Sequence, residues 1–181
     1  LILITGLMGT GKSVLASLAA PRLGAAVIRT DVLRKELLNL APTDRHHVEF
    51  GQGIYGEDIS EQTYAAAHER AAELLQSGRP VIIDASYKRA RQRNDAMALA
   101  RRLGVPFLLV ECVCPDEAVR ERLERRARDP REASDGRWEI YAAQKGDYDR
   151  EDGLPEDNRL TVDSSRPPET CLHRTLARLR S

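Results

Sequence analysis

The chain is poor in cysteine and in aromatic residues, and neither sign of charge is in excess. Three cysteines in 181 residues, Cys112, Cys114 and Cys171, are too sparse and odd in number for a disulfide framework. They read as the reduced thiols of a cytoplasmic protein. Cys112 and Cys114 alternate along an apolar run, which predicts buried strand thiols rather than a metal pair. Lysine plus arginine and aspartate plus glutamate both number 28, so the net charge is zero. That disfavours bulk attraction to nucleic acid or membrane, without eliminating a nucleic-acid partner. No apolar run approaches the ~20 residues that span a bilayer, and no signal peptide is visible. An initiator methionine is missing as well, since Leu1 already belongs to a strand-like run. We read the sequence as one domain, residues 1–181, cut from a longer protein with another domain fused upstream.

Against these absences stands one dense motif. Gly6-Leu7-Met8-Gly9-Thr10-Gly11-Lys12-Ser13 has the spacing G-x-x-x-x-G-K-S, preceded by the apolar run Leu1-Ile2-Leu3-Ile4-Thr5 and followed by a helix-compatible stretch from Ser13 to Ala20. This is a phosphate-binding P-loop in the strand-loop-helix setting that the motif requires. Glycines reach backbone angles closed to other residues, so successive N–H groups can converge on phosphate oxygens. The N-terminus of the helix adds its positive end to the same anion. Lys12 supplies a point charge to the β- and γ-phosphates, and Ser13 offers a hydroxyl to magnesium. We therefore expect ATP and Mg2+ as ligands, with Gly6, Met8, Gly9, Thr10, Gly11, Lys12, Ser13 and Val14 at the nucleotide.

Downstream, short apolar runs alternate with helical patterns. Pro21 and Gly24 mark the end of the first helix, and Ala25 to Arg29 reads as the second strand. Asp31 then sits where it can cap the next helix and also face the crevice at the carboxyl end of a parallel strand. Residues 40–57 read as a loop in which His46 and His47 are surface residues. A helix follows from Asp58 to Gln76, capped by Ser60 or Asp58, with His68 as a packing or surface residue. Val81-Ile82-Ile83-Asp84 is the third strand, and its terminal carboxylate has the Walker-B arrangement that holds magnesium directly or through water. Four positive charges follow between Lys88 and Arg93; of these we assign Arg93 to an anionic substrate or to the transferring phosphate. Val105 to Val113 is the fourth and most apolar strand, then an arginine-rich helix runs from Asp116 to about Arg128, placing Arg122 and Arg126 on one face. Residues 127–156 change composition and read as a lid anchored by one aromatic helix, Trp138 to Gln144. Arg159 to Asp163 is the fifth strand, and a closing helix spans Glu169 to Leu179. Five strands alternating with helices imply an α/β chain with a parallel sheet between two helical layers.

The whole sequence resembles the P-loop kinases of the predicted-kinase or AAA-type ATP-binding family. These are related to polynucleotide 5′-hydroxyl kinase, gluconate kinase, chloramphenicol phosphotransferase and the zeta toxins. The resemblance rests on Gly6 to Ser13, Arg29-Thr30-Asp31-Val32-Leu33-Arg34, Val81 to Ser86, Arg122-Leu123-Glu124-Arg125-Arg126 and Val162 to Pro167. It implies a three-layer α/β/α P-loop NTPase fold with strand order 2-3-1-4-5, a helical lid, and phosphoryl transfer from ATP to a hydroxyl-bearing small molecule. By the same resemblance Asp31 is the general base, Arg34 orients the acceptor, and Arg122 and Arg126 are lid arginines, with Arg126 joining Lys12 and Asp31 in catalysis. The loop Ser164 to Pro167 would lie along the adenine edge, with Ser165 and Pro167 at the nucleotide. An Asn-Lys-x-Asp guanine-reading motif is missing, which disfavours a GTPase, and so is the sensor pattern of mechanical ring ATPases. Two alternatives stay open: a polynucleotide 5′-hydroxyl kinase, and an ATP-binding regulatory module of a fused protein.

Overall fold

The computed structural model describes residues 1–41, 56–127, 138–150 and 152–180. Its sheet has five parallel strands, β1 (Ile2–Thr5), β2 (Ala26–Arg29), β3 (Val81–Asp84), β4 (Leu108–Val113) and β5 (Arg159–Asp163). Their order is β2-β3-β1-β4-β5, the order that the family resemblance implies. Alternation along β1 builds both faces of the core, because successive side chains on a strand point to opposite sides. Leu1 and Leu3 join Val81, Ile83 and Leu109 on one face. Ile2 and Ile4 join Ile82, Leu108, Val110, Cys112 and Val162 on the other.

Helices cover both faces. On the first lie α2 (Thr30–Leu37), α3 (Glu57–Gln76) and α4 (Ala90–Arg102), through Leu33, Tyr64, Ala67, Ala71, Ala96 and Ala100. On the second lie α1 (Lys12–Leu23) and α7 (Pro168–Arg178), through Leu15, Ala16, Ala19, Cys171 and Leu172. Small alanines on the inward stripe let these helices approach the sheet closely. A third, smaller cluster joins α5 (Asp116–Ala127) to α6 (Trp138–Gly146) through Val119, Leu123 and Tyr141, with Leu7, Met8 and Trp138 packed against it. Helix α6 is thus seated on the P-loop itself.

Element boundaries moved by a few residues from the sequence reading. Helix α1 runs through Pro21 and stops at Gly24, whose φ of 60° lets the chain reverse. Strand β4 starts at Leu108, after Pro106 has withheld a backbone donor from the ladder. Helix α3 is capped by Gly56, ahead of Asp58 and Ser60. Most of the loop anticipated over residues 40–57, with His46 and His47, lies outside the described residues. So do residues 128–137 of the anticipated lid.

The register sets the site. Ile4 pairs with Asp84, Arg29 pairs with Asp84, and Thr5 pairs with Glu111, so the carboxyl ends of β1, β2 and β3 finish in one row. Crevices beyond such a row are where open α/β sheets bind ligands.

Candidate active site

The P-loop leaves β1 at Gly6, whose φ of 135° is strained for any residue with a side chain. A Cβ there would strike the carbonyl oxygen of Cys112. Gly9 has φ 79°, and a Cβ on it would come within 2.8 Å of Val119 Cγ1 on α5. Both positions demand glycine for conformation and for space. The loop closes on the Leu7 carbonyl, which accepts from Thr10 Oγ1 at 2.7 Å, the Thr10 amide at 3.3 Å and Lys12 Nζ at 2.9 Å. Cradle, lysine and helix N-terminus together suit a polyphosphate.

Beside the loop opens a cleft of about 490 Å³. Met8, Gly9, Lys12, Ser13, Val14, Asp31, Arg34, Asp84 and Arg126 all line it, as do Arg29, Ser60, Tyr64, Ser86, Lys88, Ile140 and Gln144. Asp31 lies inside the first turn of α2, whose N-cap is Arg29, so the capping role anticipated for Asp31 is not the one it has. Its carboxylate instead accepts from Arg29 twice, Nη2 at 2.6 Å and Nε at 3.2 Å, and from the Val32 amide at 2.9 Å. Arg29 Nε also stands 4.0 Å from Asp84 Oδ2, tying together the acids at the ends of β2 and β3. Arg34, 8% exposed, donates to Ser60 at 3.1 Å.

Burial works against the charges on the cleft floor. Desolvation lowers the pKa of Lys12, with Asp84 pulling it back up, and raises that of Asp84, with Lys12 and the Ser13 hydroxyl pulling it back down. The Cys112 thiol, buried behind the loop, is pushed up to about 12, which leaves it inert as a nucleophile. Ser13 and Asp84 are hard oxygen donors, of the kind that would hold a magnesium ion. Among the described residues no three His, Cys, Asp or Glu gather into a larger metal cluster.

The wall opposite the loop, residues 85–88, is pinned along its backbone. The Ala85 amide donates to the Ile4 carbonyl at 3.2 Å and Thr5 Oγ1 to the Ser86 carbonyl at 2.7 Å. The Tyr87 amide donates to Tyr64 Oη at 3.0 Å, and Arg93 Nη1 donates to the Tyr87 carbonyl at 2.6 Å. The Lys88 carbonyl accepts from the Asp149 amide at 2.9 Å. Tyr87 itself is fully buried with φ 44°, a conformation costing about 1–3 kcal/mol that persists only where its surroundings fix it. The Ser86 and Tyr64 hydroxyls meet at 3.3 Å on this wall.

Arg93 does not join the cleft, which corrects the role read from its charge run. It is 1% exposed on the inner face of α4, and its guanidinium donates to Asp152, to the Tyr87 carbonyl and to the Asp149 carbonyl. Arg159 pairs with the same Asp152. Substrate has no access to such a group.

A second cavity of about 160 Å³ borders the P-loop, lined by Gly11, Arg122, Ser164 and Pro168 among others and sharing Val14 and Arg126 with the cleft. Arg122 reaches across it, donating to the Ser164 carbonyl at 2.5 Å and to Ser164 Oγ at 3.2 Å. Ser165 and Pro167 line neither cavity; Ser165 Oγ turns back to Asp163 at 2.6 Å, whereas Ser164 and Pro168 line the second one. Gly6 and Thr10 likewise serve the loop's own geometry. Sequence reasoning gave no site role to Arg29, Ser86, Tyr64 or Gln144; Arg29 and Ser86 fall inside the family-like segments Arg29 to Arg34 and Val81 to Ser86, whereas Tyr64 and Gln144 lie in no motif that marks them.

A family model described as an AAA domain matches residues 1–150. The chain belongs to this AAA-domain family. Its fold is that of P-loop kinases. The AAA-domain chain is similar to a sugar kinase from Janibacter sp. HTCC2649, solved without ligand, at 19% identity and a TM-score of 0.73, covering 99% of this chain and 93% of that one. It is also similar to the Mycobacterium tuberculosis APS kinase in complex with AMPPNP and APS, at 24% identity and a TM-score of 0.64, covering 99% and 96%. An uncharacterized Mycobacterium tuberculosis protein is 30% identical over 149 residues, which is 82% of this chain and 30% of that protein. The chain thus spans less than a third of that relative's length. Among the described residues no helix is long and apolar enough to cross a membrane.

Proposed function

We propose that this chain is an ATP-dependent phosphotransferase that moves the γ-phosphate of ATP to a hydroxyl of a small-molecule acceptor. The observation that carries the reading is the convergence of Lys12, Ser13, Asp31, Asp84 and Arg126 on one cleft. The P-loop amides and Lys12 hold the triphosphate, and Val14, Arg122 and the loop at Ser164 shape the recess for the base. Ser13 and Asp84 would hold magnesium, which supplies charge neutralisation across the phosphate oxygens. Asp31, which lines the same cleft, accepts the proton of the attacking hydroxyl. Arg34 and Ser86 orient the acceptor, while Lys12 and Arg126 balance the charge that spreads over the transferring group. Catalysis is then largely positioning and electrostatics. The APS kinase of similar fold, solved in complex with AMPPNP and APS, supports a reading in which nucleotide and acceptor are bound together.

Asp31→Asn tests this directly. We expect transfer to fall by roughly a hundredfold or more, the worth of a general base, while MgATP affinity stays within about twofold. The measurement is ADP release against a panel of hydroxylated metabolites and 5′-hydroxyl oligonucleotides. Full turnover in the variant would reduce Asp31 to a partner of Arg29. Stimulation by oligonucleotides alone would shift the reading to an end kinase. The much greater length of the mycobacterial relative favours one alternative, a nucleotide-sensing module of a longer protein. Hydrolysis indifferent to every acceptor would select it.

A further inference from the structure

Helix α6 is fastened on both sides of a residue that no motif singles out. Tyr141 Oη donates to Asp116 Oδ1 at 2.7 Å, and Lys145 Nζ donates to the same carboxylate at 2.8 and 2.7 Å. Trp138 and Tyr141 pack toward Val119 and Leu123, and Arg120 lies 4.8 Å over the Trp138 ring. Just past the helix, Asp147 pairs with Lys88 at 2.6 Å and with Arg89 at 2.8 Å. Between these anchors Gln144 reaches the P-loop, where its Oε1 accepts from the Met8 amide at 3.2 Å. An amide N–H can only donate, so the bond fixes which end of the carboxamide is oxygen. Nε2 therefore carries both donors on the other side, and among the described residues no protein hydrogen bond engages it. Gln144 lines the same cleft as Lys12, Asp31 and Asp84.

We infer that Gln144 is a catalytic residue of this site: the P-loop orients its carboxamide so that Nε2 donates to an oxygen of the nucleotide's γ-phosphate. The inference rests on the kinase reading and adds a contact to it. A neutral donor fixed in advance stabilises charge on the transferring group without reorganising during the reaction. A second lysine would give more attraction, but it would compete with Lys12 for the Leu7 carbonyl and for Asp84.

The test compares MgADP with magnesium AMPPNP, because only the latter carries the γ-phosphate. Binding of both is measured by calorimetry on wild type, Gln144→Ala, Gln144→Glu and Lys12→Ala, with melting curves as the folding control. Gln144→Ala should weaken AMPPNP by roughly ten- to a hundredfold, the worth of a hydrogen bond to a charged group, and leave ADP within about twofold. Gln144→Glu keeps an oxygen for the Met8 amide but turns a carboxylate on the phosphate, so it should weaken AMPPNP further. Equal weakening of both nucleotides would make Gln144 a mere support of the loop and overturn the inference. Tighter AMPPNP binding in Gln144→Ala would make it a competitor for the Met8 amide and overturn it too. If Lys12→Ala loses both nucleotides while the Gln144 variants keep the wild-type ratio, this inference alone fails. If wild type binds neither nucleotide, the kinase reading falls with it.

Discussion

Two groups of buried charge, one beneath the cleft and one behind its wall, behave in opposite ways. Beneath the cleft, Lys12 and Asp84 face each other at the ends of α1 and β3, and burial drives both toward their neutral forms. Behind the wall, Arg93 and Asp152 are 1% and 2% exposed at the side chain, and Arg159, Glu111 and Tyr148 extend the network. There each guanidinium nitrogen of Arg93 has an acceptor, and its carbon lies 5.0 Å over the Tyr148 ring. A buried ion pair holds when its geometry is good and its remaining donors are matched. The second group meets that condition from within the chain. The first does not, and on the kinase reading its cost is offset only when phosphate and magnesium add their own charges. Proximity to a cleft is therefore a poor guide to function; incomplete compensation is a better one.

The largest expected effect is on the compensated side. Arg93→Ala should lower the free energy of unfolding by about 3–5 kcal/mol, the usual cost of removing one partner from a buried pair, read as a shift in the urea midpoint. Arg93→Lys should recover little of it, since one ammonium cannot serve a carboxylate and two carbonyls set in a fork. A loss under about 1 kcal/mol would mean that Asp152 is held well enough by Arg159, and the contrast between the groups would weaken.

Next comes the uncompensated side. Lys12→Met removes a charge that burial opposes, so the midpoint of the free protein should stay level or rise. What should vanish is stabilisation by MgATP, which at a hundred times the dissociation constant is worth about 2.7 kcal/mol in wild type. Thermal melts with and without nucleotide read both quantities. A clear drop in the free protein's midpoint would show that the bond from Lys12 Nζ to the Leu7 carbonyl stabilises the fold by more than burial of the charge costs it.

What the sequence made legible is local. The P-loop, the five strands and the acids at the ends of β2 and β3 follow from residues within a dozen positions of each other. Arg93 was misread because the groups that claim it, Asp149 and Asp152, are 56 and 59 residues away and meet it only through the return of the chain after α6. That Ser164 and not Ser165 lines the second cavity has a smaller cause. The turn after β5 folds the Ser165 amide and hydroxyl back onto Asp163, a choice of backbone angles that composition does not record. Gln144 shows the same limit from the other side. The amphipathic stretch from Trp138 announced a helix, yet which residue meets the loop is decided by Asp116, 28 positions earlier, through Tyr141 and Lys145.

The smallest expected effect tests whether the two groups are separate at all. His68 Nε2 stands 3.0 Å from Tyr87 Oη, and the Tyr87 carbonyl accepts from Arg93, so this histidine is the outer edge of the compensated network. Burial lowers its pKa below the ordinary 6.5; Asp95 opposes that shift and Arg102 adds to it. The folded chain therefore keeps the ring neutral where the unfolded chain would protonate it. Its contribution is fully present above about pH 6.5 and is lost as pH falls below that toward the folded pKa, because there the unfolded state binds the extra proton. His68→Gln keeps a hydrogen-bonding partner for the Tyr87 hydroxyl and cannot titrate, so unfolding free energies measured from pH 7.5 down to 5 should fall less steeply than in wild type. MgATP affinity should be the same in both proteins at every pH. A variant that kept the wild-type slope would place the acid sensitivity elsewhere. One that changed nucleotide affinity would show that the wall at residues 85–88 transmits strain from one group to the other, so that neither can be interpreted alone.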